Sequence, residues 1–327
     1  MIELLCIGNA MIDVFAEAPP DFCKRFALDS PLQHISAEKA REILPALPPN
    51  KVIVSGGGAA NTAKIASRLG VSAAFIGAAG SDPYADLFED ELSRSGVHLQ
   101  LARKKSPTGV FISLTVTGQK PGNADFSRRI AASPSAALEL ETEDIGETMF
   151  ESQDAVPRIL MLEGFLLSRE RLVKRIVELV KKYNLVLAVD MGTAEIAAEQ
   201  AGLILKKHSF FWDSRFPLIL FFNETEAKAF VNILNADWEH FFIGASKDPS
   251  VLIAVKLSER GAAVFSGSKV YHVQAEKVNV VESTGAGDAF AAGFLAAWLR
   301  GEGPEQCGRA GNAAAALVLQ APGTAVL

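Results

Sequence analysis

Residues 277–299 read "KVNVVESTGAGDAFAAGFLAAWL". A β-branched run enters a Thr-Gly-Ala-Gly turn and leaves it as a long apolar helix, with Asp288 as the carboxylate at the helix start. A strand, a glycine turn and a helix in that order form the repeating unit of a parallel sheet. Small residues in the turn let backbone N–H groups converge, and the helix start adds its positive dipole end. Such a turn suits an anion. Asp288 then needs a reason to be there, because a carboxylate competes with the anion. Two readings are open. Asp288 is a helix N-cap, or it is a general base that takes the proton of an incoming hydroxyl beside a transferred phosphoryl group.

The same unit recurs outward from this stretch. "KVIVSGGGAANTAKIASRLG" (51–70) is again strand, glycine turn and helix, closed by Gly70 as a C-cap. The runs "ELLCIG", "VSAAFIGAAG", "RILMLEGFLL", "LVLAVDMG" and "FPLILFF" are continuous apolar strands, and the pair "VLIAVKLSERGAAVFSG" folds around a turn. Strands alternating with helices imply an α/β sandwich, with a mainly parallel sheet covered on both faces. "TGVFISLTVTGQKPGNADFSRR" differs, since its β-branched residues and Gly-Gln and Pro-Gly signals predict an antiparallel hairpin near 107–128. The length allows one large domain with an accessory piece, or two domains; one domain over 1–327 is expected, with a small β-lid built from about 14–50 and 97–130.

Composition narrows the function. The chain has 327 residues, 49% hydrophobic and 21% charged, which suits a globular core. A formal net charge of −6 favours neither nucleic acid nor an anionic membrane. Three scattered cysteines without a CxxC predict neither a disulfide framework nor a zinc site. The N-terminus lacks a basic leader, and the uncharged 310–327 segment reads as a buried helix, so a cytoplasmic location is expected. Rival glycine motifs fail. GxxxxGK[ST] is absent, GxGxxG breaks at Phe290, and HRD and DFG do not occur.

In "SGGGAAN", Gly56, Gly57 and Gly58 either make a tight turn or let a polyol approach the backbone while Asn61 bonds its hydroxyls. Asp13, after the first strand, either accepts two sugar hydroxyls or is a turn residue. Arg128 and Arg129 bind a phosphate already on the substrate or form a solvated face.

Taken together, "SGGGAANTAKIASRLG" and "ESTGAGDAFAAGF" resemble the two signature segments of the PfkB family, the ribokinase-like sugar and nucleoside kinases. "IGNAMIDV", "MLEGFLL" and "FFNETEA" extend the likeness over the chain and are most similar to the adenosine-kinase-like bacterial branch, which includes sugar kinases. The resemblance implies a ribokinase-like fold with a β-lid and transfer of the γ-phosphate of ATP, with Mg²⁺, to a hydroxyl of a small sugar or nucleoside. It implies Asp288 as base and Gly285, Ala286 and Gly287 as the anion hole. Asp13, Gly56, Gly57 and Asn61 become acceptor contacts. Asn223 and Glu226 match NxxE, through which the family organises Mg²⁺ and phosphate by way of water; otherwise Glu226 is an exposed helical carboxylate. Lys256, Gly261 and Asn312 border the nucleotide. Two departures stand out, Glu282-Ser283-Thr284 for the usual Asp-Thr-Thr and Ser258 for the usual glycine. A non-catalytic sensor on the same fold and a nicotinamide oxidoreductase are the rivals. Monomer versus homodimer and a monovalent-cation requirement stay open.

Overall fold

The computed structural model describes residues 2–117, 128–150, 156–205 and 216–320. Its large sheet has nine strands. In spatial order they are β14 (Lys269–Val273), β13 (Ala262–Ser266), β12 (Val251–Lys256), β11 (Leu218–Asn223), β10 (Val186–Asp190), β9 (Ile159–Glu163), β1 (Leu4–Ile7), β5 (Ala73–Ala79) and β6 (His98–Arg103). All neighbours from β12 to β6 pair in parallel, and β13 and β14 close one edge antiparallel.

Because successive side chains in a strand alternate in direction, the apolar runs feed two cores. Leu4, Cys6, Met161 and Phe221 join one; Leu5, Ile7, Leu160, Leu162 and Phe222 join the other. The first core is completed by α3 (Gly58–Arg68), α4 (Pro83–Arg94), α9 (Ala286–Leu299) and α10 (Pro304–Val318). The second is completed by α5 (Glu170–Lys182), α6 (Ala194–Leu205), α7 (Glu224–Asn232) and α8 (Trp238–Ala245). This is the expected α/β sandwich with helices on both faces.

A second sheet has five strands in the order β3 (Leu32–His34), β8 (Arg128–Ser133), β7 (Gly109–Val116), β2 (Met11–Ala18) and β4 (Val52–Gly56). Ile12, Val14, Val110 and Ile112 on one of its faces pack with Phe26, Leu28, Ile43 and Leu47 from the segment carrying α1 (Pro20–Arg25) and α2 (Ala37–Ile43). β7 and β8 pair antiparallel, and residues 118–127 between them, with the Gly-Gln and Pro-Gly signals, lie outside the described residues, as do 321–327.

The sequence expectation differs from the fold in three places. Residues 98–103 belong to the edge of the large sheet, paired with β5, rather than to the small one. Conversely β4 leaves the large sheet and pairs antiparallel with β2. A short apolar run looks the same in either sheet, since its periodicity carries no record of its partner. "KVNVVES" forms no strand. β14 already ends the sheet, and Val280 and Val281 stand 63% and 62% exposed.

Candidate active site

Ligands of open parallel sheets bind beyond the carboxyl ends of the strands. Here each of five strand ends carries one polar residue: Asn9 just after β1, Glu163 on β9, Asp190 on β10, Asn223 on β11 and Lys256 on β12. All but Asn9 line a cavity of about 1130 Å³, to which Gly58, Asp288 and Asn312 also contribute. Glu226, Gly261, Ala286 and Gly287 also line it.

The helix α9 begins at Gly285, whose φ of 82° and ψ of −4° place it in the left-handed region. Glycine reaches that region without a Cβ clash. Gly285 is therefore the N-cap, and Asp288 is the third residue of the helix. This removes the N-cap reading of Asp288. Its Oδ2 instead accepts from Asn61 Nδ2 at 3.0 Å, and Thr62 Oγ1 lies 3.4 Å from its backbone oxygen. Desolvation, then the charge of Asp190, push the Asp288 carboxyl up to about 6, against the Asn61 bond and the Lys256 and Lys64 charges. The first-turn N–H groups of an α-helix have no intrahelical acceptor; in α9 Ala286 N donates to Ser283 O at 3.3 Å, and the N–H groups after it lie next to this carboxylate.

On the other side of the turn, a Cβ at Gly56 would sit 2.0 Å from Asp13 Oδ1, and one at Gly57 would sit 2.1 Å from the Asn9 oxygen. The glycines thus make room for Asp13 and for the end of β1. Asp13 is 6% exposed, and burial followed by the Asp288 charge pushes it up to about 7. Of the four residues expected to contact the acceptor, Asn61 bonds Asp288, Asp13 feels its charge, and Gly56 and Gly57 back onto Asp13 and Asn9.

Lys256 Nζ contacts both Asp190 oxygens, at 2.8 and 3.1 Å, and would lie 3.2 Å from a Cβ at Gly287. Its burial lowers the ammonium pKa, but Asp190 and Glu226 outweigh this and the net direction is upward. Ser258, at the position of the usual glycine, has φ +54°, so the serine adopts the backbone conformation a glycine would take. Gly261 has φ +89°, and a Cβ there would meet Val273 O at 1.9 Å. Asn312 Nδ2 donates to Val273 O and Gln274 O at 3.1 and 3.0 Å, tying α10 to the strand that borders the cavity.

Glu226 is 2% exposed, which contradicts the reading of an exposed helical carboxylate. Asn223 N and Nδ2 donate to its two oxygens at 2.7 and 2.6 Å, and Glu226 N donates back to Asn223 Oδ1 at 2.8 Å. That is a capping box, and "NETE" is its sequence signature. Among the described residues no group of three or more His, Cys, Asp or Glu is arranged to hold a metal.

The adjacent arginines part company, as neighbours in a strand must. Arg128 turns to the site, bonding Ser113 Oγ at 2.9 Å, Thr284 Oγ1 at 2.5 Å and Glu282 Oε1 at 3.1 Å. Arg129 lies near Cys23 of α1, where its charge acts on the thiol.

Three residues of the site escape sequence reasoning. Glu163, 6% exposed, accepts from Asn9 N at 2.9 Å, Asn9 Nδ2 at 3.2 Å and Ala59 N at 3.4 Å, and burial pushes it up to about 7. Asn9 Oδ1 is buried with no hydrogen-bond partner among the described residues. Asp190 is the counter-ion of Lys256. The signal for all three was their position, the first polar residue after a buried parallel strand.

A cavity along strand ends, and a glycine turn opening a helix with a buried carboxylate in its first turn, fit a phosphotransferase of the sugar and nucleoside kinase type. The model of the pfkB family of carbohydrate kinases matches residues 32–190 and 214–327, and the chain belongs to that family. It is 28% identical to an "uncharacterized sugar kinase" of Archaeoglobus fulgidus over 78% of this chain and 94% of the relative. It is 24% identical to adenosine kinase 1 of Arabidopsis thaliana over 98% and 94%. A probable sugar kinase of Rhizobium etli superposes with a TM-score of 0.82 at 26% identity, covering 99% and 94% of the two chains. An adenosine kinase of Sinorhizobium meliloti gives 0.80 at 26% identity, covering 97% and 94%. The protein is thus an enzyme of adenosine-kinase-like fold that transfers a phosphoryl group to an alcohol. Among the described residues no helix is long and apolar enough to cross a membrane.

Proposed function

We propose that the protein transfers the γ-phosphate of ATP to a hydroxyl, a primary one, of a sugar or nucleoside, with Asp288 as general base. The observation that carries this reading is the Asp288 carboxylate, held by Asn61 at 3.0 Å beside the start of α9 and not serving as its cap. A base works best when its pKa lies near the working pH, and Asp288 is pushed up to about 6.

The acceptor sits between Asp13, Asn61 and Asn9, whose buried Oδ1 lacks a partner and fits a hydroxyl donor. As the acceptor oxygen bonds to the γ-phosphorus, its proton passes to Asp288 and the bond to the β-phosphate oxygen breaks. ADP leaves, and a phosphomonoester remains. The turn of Gly285, Ala286 and Gly287 at the start of α9 stabilises the equatorial charge, for which Ala286 N would exchange its 3.3 Å bond to Ser283 O. The Asp190-paired Lys256 holds positive charge beside Gly287. The nucleotide lies along the Gly261–Asn312 end of the cavity.

Mg²⁺ brought with the nucleotide would offset phosphate charge. Glu226 fits a role through water rather than direct ligation, because each of its oxygens already accepts one bond from Asn223 and keeps a lone pair. The small sheet acts as the lid, excluding water from the transfer.

A panel of adenosine, inosine, ribose, fructose and sugar phosphates, scored for acceptor-dependent ADP release, tests the reading. Turnover with at least one acceptor and a dependence on Asp288 are expected. ADP release indifferent to every acceptor would overturn it.

A further inference from the structure

One buried cation has no part in the mechanism above. Lys64 sits on α3 at 3% exposure, one turn beyond Asn61 on the same helix face. Its Nζ donates to Ser55 Oγ at 2.9 Å and to Ser55 O at 3.3 Å, both neutral oxygens. Ser55 precedes Gly56, the residue whose missing Cβ leaves space for the Asp13 carboxylate. The ammonium is therefore moored directly behind the wall on which Asp13 rests.

A buried ammonium with only neutral acceptors is costly. What holds the charge there is the surrounding set of carboxylates: Glu91 on α4, which also accepts from Ser55 N at 2.7 Å, Asp13 on β2 and Asp288 on α9. Arg68 on the same helix opposes it. Attraction between charges is mutual, so the carboxylates gain what the lysine gains.

We propose that Lys64 is a positioning residue of the acceptor site, a fixed positive charge behind the glycine turn that keeps the Asp13 carboxylate charged when acceptor hydroxyls bind. The inference rests on the reading of Asp13 as an acceptor contact and of Asp288 as the base. The groups acting on Asp13 are Asp288 from α9 and Glu91 from α4, which disfavour its charge, and Lys64 from α3 and Arg128 from β8, which favour it. Arg128 is already engaged by Glu282, Thr284 and Ser113. Lys64 makes no ion pair among the described residues, and it shares its charge between Glu91, Asp13 and Asp288.

The test is the pH dependence of kcat/KM for the best acceptor of adenosine, inosine, ribose and fructose, in the wild type, Lys64→Met and Ser55→Ala. Lys64→Met moves the acid limb upward by about one pH unit and raises acceptor KM about tenfold near neutrality, with KM for ATP unchanged. The Lys64 ammonium is itself pushed down to about 8 by burial. Above that pH the wild type also loses the charge, so the two enzymes converge. Ser55→Ala keeps the cation; it lowers Tm and leaves the acid limb in place. If Lys64→Met does not accumulate as folded protein, Lys64→Gln carries the same comparison with a donor to Ser55 retained. An unmoved acid limb, or an equal loss at every pH, overturns the inference. A wild type inert towards every acceptor, or full turnover in Asp288→Asn, refutes the underlying site reading instead.

Discussion

Asn61 and Asp288 come from helices on opposite sides of the glycine turns, yet their side chains meet at 3.0 Å. The amide donor faces one carboxylate oxygen and leaves the other free to meet a hydroxyl. Removing the donor with Asn61→Ala takes away a bond that holds the Asp288 pKa down. The acid limb of kcat/KM should shift upward, and acceptor KM should rise more than KM for ATP. A pH profile of the variant checks both, and an unchanged limb would show that the bond is not made in the working enzyme.

Asp288→Asn separates proton transfer from structure. Asparagine is near in size, and Gly285 rather than Asp288 caps α9, so the helix start should survive. Loss of a general base costs about 10²–10⁴-fold in kcat. Expected are a wild-type melting curve, retained ATP binding and a kcat lower by that range. Near-full turnover would be incompatible with the proposed mechanism.

Ser258 pays a conformational penalty at φ +54° that glycine would not. Left-handed geometry costs an L-residue about 1–2 kcal/mol, part of which glycine returns through its freer unfolded chain. Ser258→Gly should stabilise the protein by roughly 1 kcal/mol, measured by denaturant unfolding. A destabilisation would mean that the serine side chain supports the loop.

The buried carboxyls should make stability respond to pH in an unusual direction. Burial raises Asp13 and Glu163 to about 7 and Asp288 to about 6, from ordinary values of 3.8, 4.5 and 3.8. Their folded pKa values exceed the unfolded ones, so the native state holds protons that the unfolded chain releases. The stability this contributes is full below about pH 4 and is lost as pH rises through 6 and 7. The ligand-free protein should therefore melt at a lower temperature at pH 8 than at pH 5.5, and Glu163→Gln should flatten the difference. A Tm that climbs over this interval would contradict the burial of these carboxyls.

Glu226→Gln should raise the Mg²⁺ concentration for half-maximal rate while leaving acceptor KM unchanged. Glutamine preserves a capping partner, so Tm should move little. Unaltered Mg²⁺ dependence would reduce Glu226 to its capping role.

Much of this was legible in the residues, for particular reasons. Two glycine turns at strand ends announced the sheet and the site, because ligand-facing turns demand small residues at fixed places. "KVNVVES" misled, since β-branched residues in an exposed stretch carry no mark of having no partner strand. β4 misled likewise, because pairing across sheets is a tertiary property. Glu163 and Lys64 lay in runs that read as ordinary strand and helix. Only burial turns an ordinary carboxylate and an ordinary ammonium into perturbed ones, and burial is decided by the whole chain.

The polar strand ends run in a line from Asn9 to Lys256, and the small sheet reaches the site with Asp13 of β2, against Gly56, and with Arg128 of β8, against Thr284 and Glu282. On the proposed reading, acceptor contacts come largely from the small sheet and phosphoryl chemistry from the ends of the large one. Replacing residues of β2, β4, β7 or β8 can alter what is phosphorylated while the Lys256–Asp190 and Asn223–Glu226 pairs stay as they are. Such modularity gives a lineage of these enzymes a route to new substrates by remodelling one wall, without reinventing the transfer step.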